Sequence, residues 1–189
     1  AAATDAEAAG LAALLAGIVA SPLRARLASV ADLRREQRFA LALATPAGRA
    51  IPLTGVFDAI GREGARTLVV DWKSDRLAPD ADPAAAVARA YELQRAAYAL
   101  AALRGGADEV EIVHAFLARP REPVSATYRA ADAPALERLL GARADRVLAR
   151  DFPVADEPQP RICDGCPGRG SLCSWPLERT RGAAAGRLF

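Results

Sequence analysis

The chain has 189 residues, a formal net charge of +2, and apolar side chains at 52% of its positions. This length suits one domain with a hydrophobic core and is tight for two. So small a net charge does not by itself indicate nucleic-acid binding. The apolar stretch at residues 11–20 is too short to span a bilayer and lacks the features of a signal peptide. We therefore expect a cytoplasmic protein, and the absence of any methionine suggests a segment of a longer chain.

The predicted elements begin with two helices and a strand. Residues 5–19 are rich in alanine and leucine, with Thr4 or Asp5 as a possible cap. Ser21 followed by Pro22 predicts a second, short helix that ends near residue 27. Apolar residues then alternate over residues 36–43, which predicts a strand.

Arginines cluster within fifteen residues of this first region. Such a cluster suits a groove that binds phosphates, but solvated helix faces carry similar charges, so both interpretations stay open. The residues are Arg24, Arg26, Arg34, Arg35 and Arg38.

The remaining segments alternate between strands and helices up to about residue 150, and the chain is proline-rich and irregular beyond it. Gly105 and Gly106 close the longest predicted helix, and Asp132 caps the last one. The predicted ranges are strands at 51–60 and 66–73, a helix at 83–104, strands at 110–118 and 124–128, and a helix at 132–150.

Three ionisable residues lie on the predicted hairpin. Because strand side chains alternate in direction, Asp71 and Lys73 share one face. Asp58 on the preceding strand joins them only if paired residue numbers sum to an odd number, since a one-residue slip reverses every side chain. A four-residue loop at residues 62–65 satisfies this condition and places Asp58 opposite Val69.

Lys73 is the only lysine of the sequence. One interpretation is compositional drift in an arginine-rich protein, and the other is a function that arginine cannot perform, because lysine is a compact point charge with an adjustable pKa. Two carboxylates can bind Mg²⁺, which activates water and neutralises charge on a phosphate. A lysine beside them can orient that water or stabilise the transition state. The alternative is a surface ion pair between Asp71 and Lys73.

Three motifs together resemble the RecB-type branch of the PD-(D/E)xK nuclease superfamily, typified by the nuclease domains of RecBCD- and AddAB-like helicase–nucleases. The sequence contains Thr-Gly-Val-Phe-Asp at 54–58, Asp-Trp-Lys at 71–73 and Gln-Arg-Ala-Ala-Tyr at 94–98. These match the family pattern Gly-x-x-Asp, Asp-x-Lys and Gln-x-x-x-Tyr in order, within a similarity that spans about residues 36–117. The resemblance implies an α/β fold of the restriction-endonuclease type, with a central mixed sheet flanked by helices.

The resemblance also implies roles for individual residues. Asp58, Asp71 and the backbone carbonyl of Trp72 would bind Mg²⁺ or Mn²⁺, and Lys73 would be the catalytic base or position the water. Glu36 matches an acid that the family often places on its first strand, although a solvated charge explains it equally well. The DNA-facing helix would contribute two supporting residues, Gln94 and Tyr98.

Histidine marks one departure from the family. Many relatives have a histidine on a helix before the first strand, near the metal. The only histidine here is His114, on a later predicted strand, so the role is not transferred to it. A single histidine on a strand is more often structural.

The cysteines form a second group of possible ligands. Cys163, Cys166 and Cys173 are spaced as ligands of zinc or an iron–sulfur cluster, but both usually need four ligands. In AddB-type and CRISPR-associated relatives a fourth, upstream cysteine completes a [4Fe–4S] cluster, which implies a partner before residue 1. Reduced thiols with no ligand are the alternative.

These observations predict a Mg²⁺- or Mn²⁺-dependent DNA nuclease, an exonuclease or endonuclease, that acts on single-stranded DNA. Its expected partner is the helicase domain or subunit of a helicase–nuclease for double-strand break repair and recombination. We expect one domain over residues 1–189, with a core at 36–150 and a cysteine-bearing segment at 151–189. The alternatives are an inactive module for DNA binding or subunit docking, and a CRISPR-adaptation nuclease.

Overall fold

A five-stranded mixed sheet forms the centre of the computed structural model, which describes residues 4–181. The strands lie side by side in sequence order, with β3 parallel to β4 and every other pair antiparallel. The strands are β1 (Ala31–Ala44), β2 (Ala50–Glu63), β3 (Arg66–Lys73), β4 (Glu109–Phe116) and β5 (Val124–Arg129). This mixed sheet flanked by helices confirms the predicted fold class.

Helices lie against both faces of the sheet. On one face α4 and α5 cover a core that includes Phe57, Val69 and Ile112, and on the other α2 covers Leu68, Val70 and Val113. The helices are α1 (Asp5–Val19), α2 (Pro22–Leu27), α3 (Pro83–Ala90), α4 (Glu92–Arg104), α5 (Ala133–Leu148), α6 (Pro160–Cys163) and α7 (Leu177–Thr180). Among residues 4–181, no helix is long and apolar enough to cross a membrane.

The predicted starts of α1 and α2 agree with the observed caps, whereas Asp132 lies at the N-cap of α5 without a side-chain hydrogen bond to that helix and instead accepts the N–H of Arg129. Thr4 and Glu7 form a capping box on α1, the Ser21 hydroxyl accepts the N–H of Arg24, and Asp82 caps α3 ahead of Pro83. These side chains satisfy backbone N–H groups that have no partner within a helix.

The predicted single helix over residues 83–104 is wrong, because the structure divides it into α3 and α4 at Tyr91. Tyr91 has φ −126° and ψ 11°, outside the helical region. Its hydroxyl donates to the carboxylate of Asp75, and its ring stacks on His114 with centroids 5.7 Å apart. The break therefore places an aromatic ring against the sheet, at a point where the local sequence favours helix.

Two strand boundaries also differ from the prediction. β1 begins at Ala31 rather than residue 36, so that Glu36 lies inside the strand with φ 51°. The β2–β3 turn contains two residues, Gly64 and Ala65, rather than the four predicted. Gly64 has φ 61°, a conformation that tight hairpins require and glycine adopts without strain.

Candidate active site

Strand β3 carries two charged residues into the protein interior beneath α4. Asp71 and Lys73 are buried, with side-chain exposures of only 3% and 8%. Lys73 Nζ lies 2.5 Å from Asp71 Oδ2. Their placement on one face agrees with the predicted alternation, but the interpretation as a surface ion pair is wrong because the pair is buried.

Helix α4 and Tyr91, the residue just before it, supply the other contacts of the lysine. Lys73 Nζ donates to Gln94 Oε1 at 2.5 Å, and it lies 3.9 Å from the centroid of the Tyr91 ring. A carboxylate, an amide oxygen and an aromatic face are all favourable neighbours of an ammonium group. Lys73 is thus held by one strand and by the first turns of one helix.

Gln94 and Tyr98 connect this ammonium to Asp71. Gln94 Nε2 donates to Asp71 Oδ1 at 3.2 Å and to the Tyr98 hydroxyl at 3.1 Å. That hydroxyl lies 3.2 Å from Asp71 Oδ1 and 2.9 Å from the backbone oxygen of Val56 on β2. Burial raises the pKa of Tyr98, and the charge of Asp71 raises it further, so the phenol is a neutral donor. The structure therefore joins four of the predicted site residues in one hydrogen-bonded network.

Asp58 lies at the seam where β2 and β3 separate. The last paired residues of this hairpin are Ala59 and Val70, and beyond them Asp58 Oδ2 accepts the backbone N–H of Trp72 at 2.7 Å. Burial raises the pKa of the Asp58 carboxyl, and the charge of Asp71 adds to this effect. These two influences outweigh the Trp72 hydrogen bond and the charge of Lys73, which both lower it.

The register of this hairpin has the predicted parity but a different offset. Ile60 pairs with Val69, so continuation of the ladder places Asp58 opposite Asp71 rather than opposite Val69. The observed turn is two residues shorter than predicted. Because side chains alternate with a period of two, a difference of two residues leaves each side chain on the predicted face of the sheet. The expectation that Asp58 approaches Asp71 and Lys73 is compatible with this register.

A kink in the sheet modifies that simple picture. In a regular strand Phe57 and Ala59 would share a face, yet Phe57 packs beneath α4 and Ala59 beneath α2. Glu36, which has a left-handed backbone, lies between the residues paired with Phe57 and Ala59. Asp58 therefore occupies the point at which β2 turns from one core to the other.

Glu36 itself does not join the network. It is exposed, and it makes no hydrogen bond or ion pair with any other residue in the described range 4–181. The register nevertheless places it opposite Asp58, on β1, the edge strand that pairs with β2. A left-handed conformation costs a non-glycine residue about 1–3 kcal/mol, and such strain is concentrated at functional sites.

Trp72 presents its backbone to the same seam. The N–H and C=O of one strand residue point to the same side, and the side alternates along the strand. The Lys73 oxygen accepts the N–H of Leu117 beyond β4, so the N–H and C=O of Trp72 point towards β2. The carbonyl predicted as a ligand thus faces the side on which Asp58 lies.

These oxygen atoms suit a hard divalent cation. Within residues 4–181, no group of three or more His, Cys, Asp or Glu side chains is placed to hold a metal ion. Mg²⁺, however, keeps several waters and needs only one or two carboxylates together with substrate oxygens. Asp71 Oδ2 is buried and has no hydrogen-bond donor besides its ion pair with Lys73. Asp58, Asp71 and the Trp72 carbonyl therefore fit Mg²⁺ or Mn²⁺ as a partial set of ligands.

Tyr91, Asp75 and His114 are neighbours of the site that the sequence did not assign to it. His114 pairs with Asp71 in the parallel ladder and is fully buried, and neither ring nitrogen has a hydrogen-bond partner in the described part of the chain. Burial and the charges of Lys73 and Arg95 lower its pKa to about 4, so the ring is neutral. Of these three residues, only Tyr91 had a signal in the sequence: it precedes Gln94 by three residues and Tyr98 by seven, a spacing that places all three on one side of a helix.

The cysteines lie in the C-terminal segment, away from this network in the chain. Cys163, Cys166 and Cys173 are free thiols, and Cys166 is exposed. Backbone hydrogen bonds link Cys166 to Cys163 and Cys173 to Gly168. The described residues do not assemble them into a metal site, so a cluster stays a prediction.

Comparison with known proteins identifies the family. No curated protein matches the chain. A solved structure described as "Crystal structure of SSO0001" is similar over 76% of this chain and 61% of that chain, with a TM-score of 0.43 and 15% identity. This chain thus spans less than two thirds of that structure, and so low a similarity supports no argument about function. A model of the PD-(D/E)XK nuclease superfamily, in contrast, matches residues 2–173. Since that match covers most of the sequence, the chain belongs to the PD-(D/E)XK nuclease superfamily.

Proposed function

We propose that this chain is a metal-dependent nuclease that hydrolyses phosphodiester bonds of single-stranded DNA. The observation that supports this most strongly is the burial of the sole lysine against Asp71 and Gln94. A buried ion pair is a weak source of stability because desolvation offsets the attraction of the charges. Its presence at the Asp-x-Lys motif of a nuclease superfamily is better explained by catalysis.

Each residue of the network has a distinct task in this proposal. A divalent cation, when bound, neutralises charge on the phosphate and lowers the pKa of water. Asp58, Asp71 and the Trp72 carbonyl would hold it, and the ammonium of Lys73 would orient the attacking water and stabilise the charge that develops on phosphate oxygens. Gln94 fixes the position of Lys73 Nζ, and Tyr98 fixes the carboxylate of Asp71.

The proposal extends to partners that motif similarity alone suggests. We propose that the domain works with a helicase domain or subunit in double-strand break repair and recombination, in the cytoplasm. We further propose that Cys163, Cys166 and Cys173 hold a [4Fe–4S] cluster with a fourth ligand from outside this sequence. An absorption band in the visible range that disappears in Cys166→Ser would support the cluster. A colourless protein, after anaerobic preparation with its helicase partner, would contradict it.

A docking module without activity is the second candidate. The observation in its favour is that the ammonium of Lys73 already neutralises the Asp71 carboxylate, so an internal cation lies beside a predicted metal ligand. A docking role does not account for the additional carboxylate of Asp58 at the β2–β3 seam, which remains partly accessible. A CRISPR-adaptation nuclease is a third possibility, and the same motifs would serve it.

A cleavage assay tests the proposal directly. Fluorescently labelled single-stranded DNA is incubated with the protein and Mg²⁺ or Mn²⁺, and in parallel with EDTA. We expect metal-dependent cleavage that falls at least about 100-fold in Lys73→Ala and in Asp71→Asn. Lys73→Arg should also fail, because a planar guanidinium cannot replace a buried point charge. If the unmodified protein cuts no better than Lys73→Ala, the proposed activity is wrong.

Asp108→Asn is the matched control. Asp108 is exposed and lies just before β4, at the end of the sheet opposite to the Asp71–Lys73 pair. This substitution also removes one carboxylate charge, but it should retain the cleavage rate of the unmodified protein.

A further inference from the structure

A pocket of about 420 Å³ opens beside Asp58, on the α2 side of the sheet. Its volume lies within the range of roughly 300–1,000 Å³ that is typical of small-ligand sites. The wall combines charged and apolar side chains from α2, β1, β2 and β3. Those that matter here are Arg24, Leu27, Leu33, Arg35, Asp58 and Trp72. We call this space the α2 pocket.

Two guanidinium groups of the α2 pocket lack an acidic partner. Neither Arg24 nor Arg35 forms an ion pair or a side-chain hydrogen bond with another residue in the range 4–181, and both are exposed. Arg26, on the same short helix, behaves differently: it binds Glu63 and Glu111 at 2.6 Å each and anchors α2 to the sheet. The arginine cluster therefore separates into a structural member and two members whose charge is available to a ligand.

The apolar part of the wall complements these charges. Leu27, Leu33 and Trp72 are half-buried and pack on the core beneath α2. A ligand that fits must therefore bear an anionic group for the arginines and a flat or apolar group for the indole and the leucines. A nucleotide has both properties, since arginine binds phosphate through paired N–H groups and bases stack on aromatic rings.

The position of the α2 pocket relates it to the candidate active site. Asp58 belongs to both, and Trp72 contributes its side chain to the pocket and its backbone to the seam. A DNA strand whose scissile phosphate lies at Asp58 and Asp71 would therefore have a neighbouring nucleotide within reach of the pocket. The volume of about 420 Å³ suits one nucleotide of a single strand.

We propose that the α2 pocket binds the nucleotide adjacent to the scissile phosphate in single-stranded DNA. Arg24 and Arg35 bind its phosphate, and the Trp72 indole contacts its base. This inference rests on the proposed nuclease function and adds to it a subsite that selects for an unpaired strand.

Binding and cleavage are measured separately, so that the two proposals fail independently. Fluorescence anisotropy of a labelled ten-nucleotide thymidine oligomer is measured with the full chain in Ca²⁺, and cleavage is measured in Mg²⁺. We expect Arg24→Ala and Arg35→Ala each to weaken binding about tenfold, as the loss of a charged hydrogen bond predicts. KM should rise accordingly, with kcat less affected. The double variant should reduce the slope of log affinity against log salt by about 0.7 for each lost phosphate contact.

Arg143→Ala is the charge-matched control. Arg143 is exposed on α5, against the opposite face of the sheet, and has no ion-pair partner in the described chain. It should bind the oligomer as the unmodified protein does. Equal weakening by Arg143→Ala, or unchanged affinity of the Arg24→Ala/Arg35→Ala double variant, would overturn the subsite even if Lys73-dependent cleavage is intact.

Two further measurements address the base and the single strand. In a Trp175→Phe background the remaining tryptophan emission comes from Trp72, and the oligomer should quench it. A blunt duplex of the same length should compete at least about tenfold more weakly than the single strand, since stacking on an aromatic ring needs an unpaired base. Unquenched emission, or equal competition by the duplex, would contradict the assignment.

Discussion

Lys73 Nζ lies 2.5 Å from Asp71 Oδ2, and both side chains are almost completely withdrawn from solvent. Removal of one partner from such a pair leaves an uncompensated buried charge, at a cost of about 3–5 kcal/mol. In EDTA we expect Lys73→Met and Asp71→Asn each to lower the free energy of unfolding, and the double variant to lose less than the two together. Urea denaturation measures this coupling. Additivity within about 0.5 kcal/mol would show that the two charges do not stabilise each other.

Replacement of Tyr98 by phenylalanine should weaken both stability and cleavage. The hydroxyl shares one proton between the Val56 oxygen at 2.9 Å and Asp71 Oδ1 at 3.2 Å, and it accepts the amide of Gln94, so its removal takes one donor and one acceptor from the network. We expect the free energy of unfolding to fall by about 1–3 kcal/mol, measured as a shift of the urea midpoint. Tyr128→Phe is the control, because that half-buried tyrosine packs on the same core with no hydroxyl hydrogen bond in the described chain. Equal stability of the two variants would refute this role.

Replacement of Asp58 by asparagine should not lower the stability of the metal-free protein, but it should abolish the stabilisation that Mg²⁺ provides. Burial and Asp71 raise the pKa of Asp58, so its negative charge is unfavourable in the folded protein without a cation. Asparagine removes the charge and can still accept the N–H of Trp72. In EDTA we expect Tm to equal or exceed that of the unmodified protein, and in Mg²⁺ only the unmodified protein should gain stability. The same gain in both proteins would exclude Asp58 as a ligand.

The ion pairs of Arg26 should make the free energy of unfolding decrease as the pH falls into the acidic range. Arg26 lowers the pKa of Glu63 from 4.5 to about 2 and also lowers the pKa of Glu111. Because these folded-state pKa values are depressed, the stabilisation is fully present above pH 4.5 and is lost as pH falls towards 2. Arg26→Gln should therefore be less stable than the unmodified protein at pH 6, with a difference that shrinks across this window. Arg143→Gln should run parallel to the unmodified protein, and a constant deficit for Arg26→Gln would disprove the linkage.

The sequence was a good guide wherever the determining forces are local or periodic. The predicted caps at Thr4 and Ser21 coincide with helix starts because short polar side chains satisfy free N–H groups there. Alternation alone placed Asp71 and Lys73 on one face. The parity argument agrees with the observed pairing of residues 59–63 with 66–70, because strands with a core on each face tolerate only even changes of register, although the offset differs.

Features created by tertiary contacts were not predictable in this way. The residues around Tyr91 favour a continuous helix, and the break depends on contacts with Asp75 and His114, which come from distant parts of the chain. The left-handed Glu36 and the seam position of Asp58 arise from the kink shared by β1 and β2. No local sequence pattern predicts such a kink, because apolar and polar side chains alternate normally along each strand on either side of it.

The two-residue turn at Gly64 and Ala65 has a consequence for how this hairpin can vary in length. Asp58 is six residues from Gly64, or about 20 Å along an extended strand. Because β1 holds β2 and β4 holds β3, a residue inserted in the turn lengthens the loop and leaves both strands in place. A residue inserted within the strand at 59–63 would instead reverse the facing of the side chains beyond it. Length changes are therefore expected to be tolerated at the turn, whereas a single insertion between the turn and Asp58 should inactivate the protein as a substitution of the carboxylate does.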